Sequence, residues 1–186
     1  MVRGFILQPT YRIASGLPVV HLYGRLETGE TFLVRDDRWV PHFYVRRADA
    51  ERAAELRARI DDDRRSRVNM AGEPVVRVVL RQPGDTPGMR ERLFAAGVVC
   101  YEADVRFAYR FLIDQGIRGS VAIEGESTPG EGVDRVFLNP KLSPADWVPQ
   151  LSILSIDIET DPQAQRLLSV ALVGAGLDEV LLLTPQ

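Results

Sequence analysis

Two carboxylates carry the chemical signal of this chain. Asp157 and Glu159 sit two residues apart in Leu154-Ser155-Ile156-Asp157-Ile158-Glu159-Thr160, an otherwise apolar segment. A strand repeats every two residues, so both side chains fall on one face, roughly 6.5–7 Å apart along the backbone, with Ile156 and Ile158 on the other. Paired carboxylates repel each other and resist burial unless something neutralises them. A divalent cation does so, and oxygen ligands suit Mg²⁺ or Mn²⁺. Two such ions can cleave a phosphodiester, one activating water and the other stabilising the leaving oxygen. The alternative is an ordinary solvated strand face, because Asp-x-Glu is short and common. The setting, on what reads as a central strand, weighs against that alternative.

Other chemistry is thin. His21 and His42 are the only histidines, and no second nitrogen or thiol is spaced to help either hold zinc. Both read as strand residues. No glycine-rich phosphate loop and no serine in a nucleophile elbow occurs. Cys100, the single cysteine, lies in the apolar run Val98-Val99-Cys100-Tyr101 and reads as buried and inert. A lone cysteine excludes an intrachain disulfide and points to the cytoplasm.

The chain has 186 residues, 45% hydrophobic and 26% charged, with a net charge of −3. That length accommodates one domain, or one domain plus part of a second. No apolar run reaches the roughly 20 residues needed to span a bilayer, so no membrane partner is expected. The first residues do not read as a secretory leader. The charge balance lacks the basic excess often seen in nucleic-acid binders. The basic residues are almost all arginine, with Lys141 the lone lysine. That bias fits phosphate recognition or, equally, genome base composition.

The elements that must position these residues are legible in outline. Residues 4–45 alternate apolar and polar positions between turn signals at Ser15-Gly16 and Thr28-Gly29, and predict a meander of four antiparallel strands ending in His42-Phe43-Tyr44-Val45. Residues 48–60 predict a helix with an alanine-rich stripe, closed by the charged loop Asp61-Asp62-Asp63-Arg64-Arg65. Residues 74–80 predict a strand. Pro83 to Gly88 turns into a helix capped by Asp85 or Thr86 and stopped by Gly97. A strand at 98–101 and a helix at 107–115, closed by Gly116, follow. Strand, helix, strand, helix resembles a ferredoxin-like arrangement. Residues 141–150 read as a linker. Three strands, at 151–160, 167–173 and 179–183, then open a second sheet that needs something to pack against.

Taken in order, several segments resemble family B DNA polymerases, and more closely the bacterial DNA polymerase II type. Gly4-Phe5-Ile6-Leu7 resembles the opening strand of that type. Pro41-His42-Phe43-Tyr44 resembles a Pro-Tyr-Phe-Tyr strand of archaeal members, and Gln82-Pro83-Gly84-Asp85-Thr86-Pro87 with Arg90 resembles their turn and following helix. Tyr101 to Phe107, continued by Arg110-Phe111-Leu112-Ile113-Asp114, is similar to the segment preceding the exonuclease domain. Ser155 to Thr160 is similar to the first exonuclease motif. The resemblance runs from near residue 4 to residue 160.

The fold this resemblance implies is α+β. An N-terminal domain of antiparallel strands and a small α/β layer would occupy residues 1–145. The incomplete start of a ribonuclease H-like 3′–5′ exonuclease domain would occupy 146–186. The parent would be a DNA-directed DNA polymerase with proofreading, acting in replication or repair and using Mg²⁺. Asp157 and Glu159 carry over as catalytic, metal-binding carboxylates. The further carboxylates of later motifs find no match, since Asp161, Asp178 and Glu179 do not fit the pattern; the chain alone is therefore expected to be inactive and to hold metal weakly. DNA and the rest of the polymerase chain are the implied partners. Nucleic-acid contacts are expected from His42, Tyr44, Arg46, Arg47, Phe107 and Arg110, the aromatic rings stacking on bases and the arginines meeting phosphates; the alternative for Phe43, Tyr44 and Phe107 is a place in the core. Archaeal members sense uracil in a pocket near Phe107 and Arg110, but Arg106 stands where proline is usual and His42 where tyrosine is, which speaks against base sensing here. The main rival is a stand-alone, non-catalytic single-strand-binding module; a small independent nuclease is a second. An unpaired edge among the last strands would favour dimers.

Overall fold

The computed structural model describes residues 1–62 and 67–183. The expected charged loop therefore lies partly outside the described residues, at Asp63, Arg64 and Arg65. Strands β1 (Val2–Ala14), β2 (Leu17–Leu26) and β3 (Thr31–Asp36) come first. Next are β4 (His42–Arg46), α1 (Ala50–Glu55), β5 (Arg59–Asp61), β6 (Val75–Val79), α2 (Thr86–Ala95) and β7 (Cys100–Tyr101). Helix α3 (Phe107–Asp114) leads to β8 (Ser120–Glu124), β9 (Ser127–Thr128), β10 (Arg135–Leu138) and β11 (Lys141–Pro144). The last elements are β12 (Leu154–Thr160), β13 (Leu167–Gly174) and β14 (Leu177–Leu182). The chain divides into two compact units, Met1–Val148 and Pro149–Gln186. No helix among the described residues is long and apolar enough to cross a membrane.

The first unit contains a sheet ordered β11-β8-β1-β2-β3-β10-β9. Its β1–β2 turn is two residues long, Ser15 and Gly16, both at positive φ (50° and 77°) as such hairpins require. That turn fixes the register, setting Arg12 beside Val19 and Thr10 beside His21. Neighbouring strands are antiparallel except β10, which lies parallel to β3. Val20, Leu22, Phe32 and Val34 alternate onto one face and bury against Phe107, Phe111 and Leu112 of α3. Gly24, opposite Ile6 at a β-bulge, is required there: a Cβ would sit 2.1 Å from the Phe5 carbonyl oxygen and 2.6 Å from the Phe32 ring.

A second sheet, ordered β5-β6-β4-β7, is antiparallel throughout. With α1 and α2 it runs β4-α1-β5-β6-α2-β7, which is the ferredoxin-like order. Phe43, Val45, Val76 and Val78 face Ala53 and Leu93 of the two helices in one core.

The sequence-based outline is corrected in five places. The strand at 42–46 leaves the expected meander, because Phe43 and Val45 need the cover of α1 and α2. The ferredoxin-like unit accordingly begins there, and the helix at 107–114 belongs to the first sheet instead. The helix expected over 48–60 ends at Glu55, because Arg57 turns to φ 65° and residues 59–61 pair with β6. The linker expected over 141–150 contains a strand, β11, paired with β8. Finally, β12 is an edge of its three-stranded sheet rather than a central strand.

Candidate functional site

Strand β12 positions Asp157 and Glu159. Ladder pairing sets Asp157 opposite Ala171 and Glu159 opposite Ser169 on β13, and the next strand places Val180 and Leu182 in the same two rows. Alternation puts both carboxylates on one face and Ile156, Ile158, Val170 and Leu172 on the other. The neighbours across the ladder, Ala171 and Ser169, are small. Both carboxylates are exposed, and Asp157 Oδ1 accepts from the Ile158 amide at 3.1 Å. A register shift falls between Glu159 and Thr160. Asp161 is spent on structure: its Oδ1 accepts from the amides of Gln165 at 2.8 Å and Arg166 at 3.1 Å, shaping the turn into β13. Asp178 shares the carboxylate face but lies two strands away. No group of three or more metal-ligating side chains occurs among the described residues. The oxygen donors thus suit a hard cation in kind, while their number falls short of a complete site.

The residues expected to meet nucleic acid gather in the first unit. His42, Phe107 and Arg110 line a cleft of about 550 Å³, whose other walls include Leu7–Tyr11, Pro83 and Glu102–Arg106. Helix α3 carries Phe107, Arg110, Phe111 and Asp114 at one-turn spacing, so one face delivers both apolar and charged groups. Arg110 is only 4% exposed. Its Nη2 lies 2.6 Å from Glu102 and its Nη1 3.7 Å from Asp114, while its Nε has no hydrogen-bond acceptor among the described residues. His42 Nε2 sits 3.3 Å from Asp114 and 3.4 Å from the Tyr44 hydroxyl, and its Nδ1 is 3.1 Å from the Val40 carbonyl. Tyr44 is buried with the Arg110 guanidinium over its ring, and burial is the first cause raising its phenol above the usual value. Phe43 and Phe107 are core residues; Phe107 also takes the edge of Tyr11. These aromatic rings do not form an open stacking platform.

Arg46 and Arg47 are engaged with acids. Arg46 bonds Asp49 at 2.8 Å and approaches Glu73 at 3.6 Å; Arg47 bonds Asp62 at 2.9 Å. The arginines that sequence reasoning passed over are Arg12 and Arg35. Both are exposed, and neither pairs with a carboxylate among the described residues. The Ser15-Gly16 turn was the available signal, since its register alone places Arg12 and Thr10 on the face of His21.

No protein-family model matches the chain. In sequence it is similar to DNA polymerase II of Escherichia coli, at 34% identity over 61% of this chain and 14% of that protein. It is similar to the DNA polymerase of Archaeoglobus fulgidus, at 27% identity over 97% of this chain and 25% of the relative. Among solved structures, the family B DNA polymerase of Pyrobaculum calidifontis matches with a TM-score of 0.72 and 25% identity, over 97% of this chain and 26% of that one. Sequence and fold therefore agree in their likeness to family B DNA polymerases. The chain spans a quarter or less of the length of these curated relatives.

Proposed function

We propose that this chain is the template-framing part of a DNA-directed DNA polymerase of family B, and that residues 149–186 open its 3′–5′ proofreading exonuclease. The observation that carries this reading is the Asp157–Glu159 pair, on one strand face beside small neighbours, in a chain similar to these polymerases over nearly its whole length. In a complete ribonuclease H-like site, both carboxylates would hold Mg²⁺ or Mn²⁺, which activates water and stabilises the leaving oxygen. The exposed apolar face of Ile156 and Ile158, 62% and 57% exposed, fits a strand meant to be covered by further sheet or helix. Two carboxylates alone do not complete a two-metal site, so the isolated chain neither polymerises nor degrades DNA.

The test is made in the full-length polymerase. Asp157→Ala and Glu159→Ala should each lower Mg²⁺-dependent degradation of a single-stranded 3′ end by at least about a hundredfold, with primer extension retained. Unchanged degradation in both variants would sink the assignment. Metal-dependent cutting by residues 1–186 alone, abolished by Asp157→Ala, would instead establish a small independent nuclease.

A second reading rests on the cleft beside Phe107 and Arg110: a non-catalytic module that binds single strands. It predicts metal-independent binding of an oligonucleotide by the chain as it stands. His42 and Arg106, where archaeal relatives carry other residues, predict equal affinity for uracil- and thymine-containing strands.

A further inference from the structure

The face of the β1–β2–β3 sheet turned away from α3 has an unusual composition. Ladder register places Thr10, His21 and Arg35 in one row across three strands, with Arg12 one row away and Tyr23 in the next row on the other side. Positions 8, 10 and 12 of β1, 19 to 25 in alternation on β2, and 31 to 35 in alternation on β3 carry three arginines and no acid. One of the three, Arg25, donates to the Gly29 carbonyl at 2.9 Å. Arg12 and Arg35 have no such partner among the described residues, and lie roughly 12 Å apart, two strand spacings across and one two-residue step along. Between them His21 is 5% exposed, its Nδ1 3.5 Å from the Tyr23 hydroxyl. His21 is held below its ordinary value by burial first, then by the charges of Arg35 and Arg12. The two guanidinium charges thus act on a buried ring, and neither forms an ion pair among the described residues.

We propose that this sheet face is a second nucleic-acid contact, in which Arg12 and Arg35 take two phosphates of a single strand and Tyr23 offers a ring to its bases. Charge complementarity selects the occupant. Arg12 and Arg35 are exposed above the buried His21 and stand on separate strands, a span that suits a chain of phosphates better than one small anion. Unpaired arginines flanking an aromatic residue on a sheet are the elements of sequence-tolerant single-strand binding. The face belongs to the first unit and the Asp157–Glu159 strand to the second, and the proposal holds whether or not that strand serves an exonuclease.

The test uses the whole chain and a short fluorescein-labelled oligothymidylate. Arg12→Ala/Arg35→Ala should weaken binding by tenfold or more and flatten the salt dependence by about 1.4 in the log–log slope, the value for two phosphate contacts on a single strand. Arg12→Lys/Arg35→Lys should restore most of the affinity. Both arginines are exposed, so an unchanged urea midpoint is expected of the alanine pair. NMR of the two histidine rings gives an independent readout: the oligonucleotide should raise the His21 pKa by at least half a unit, because added phosphates offset the neighbouring guanidinium charges. Unchanged affinity and slope in the alanine pair, or an unmoved His21, would overturn the proposal. So would inorganic phosphate raising the His21 pKa at the same concentration as the oligonucleotide, which would mark a small-anion site. The carboxylate variants of the full-length polymerase report separately on the exonuclease.

Discussion

Asp157 and Glu159 could be paired from sequence because strand alternation is a local rule, and the ladder sets both on one face. The engagement of Arg46 and Arg47 was not legible, since Asp49, Glu73 and Asp62 reach them only once β4, α1 and β6 are in place. Arg110 was half legible: its one-turn spacing from Phe107 and Asp114 marks a buried face, though a charged residue in a helix reads first as surface. Arg110→Met should cost about 1–3 kcal/mol in urea unfolding, because Glu102 is half exposed and can rehydrate when its partner leaves. His21 gives a pH signature. Its folded-state pKa lies below the unfolded value of 6.5, so the unfolded chain takes up the proton more readily. Its contribution to stability is complete above 6.5 and is lost as the pH falls through that value towards the folded pKa. His21→Gln should flatten the decline of the urea midpoint between neutral and mildly acidic pH; an identical decline in the variant would show that other groups cause it.

Elements were easier to place than their partners. The helices at 86–95 and 107–114 announce themselves through Pro87, Gly97 and Gly116, and both glycines take positive φ, at 76° and 68°. The ferredoxin-like order emerges only when residues 42–46 are taken out of the preceding meander, and that choice depends on non-local burial of Phe43 and Val45. The parallel placement of β10 on β3 joins segments a hundred residues apart and leaves no local trace. Two substitutions probe these layers. Leu93→Ala, at a fully buried position of α2, should cost about 2–5 kcal/mol. Gly24→Ala should cost about 2 kcal/mol or more, because the methyl meets the Phe5 carbonyl and the Phe32 ring. Chemical-denaturation midpoints would check both, and a neutral Gly24→Ala would mean that the bulge can absorb a side chain.

At the scale of the molecule, the first unit holds both cores, whereas the second has no buried position among its described residues. A three-stranded sheet with open faces has little to stabilise it. Residues 1–148 made alone should therefore keep the thermal midpoint of residues 1–186 to within a few degrees. A large drop would show that 149–186 contribute to the fold. The exposed Ile158, Val180, Leu181 and Leu182 predict self-association. Earlier elution on size exclusion at the higher of two concentrations, relieved by Leu182→Lys, is the expected result; concentration-independent elution would count against it.

The pairing of β10 with β3 also sets a timetable. Asp134, which accepts from the amide and hydroxyl of Thr31, is 103 residues further along the chain. At the roughly 5–20 residues per second of protein synthesis, the outer edge of β3 waits about 5–20 seconds for its neighbour. During that interval residues 42–101 leave the ribosome and can close their own layer, while the β3 edge stays open to other chains. Synonymous codons that slow translation between residues 42 and 134 should therefore raise the fraction of newly made chain lost to aggregation.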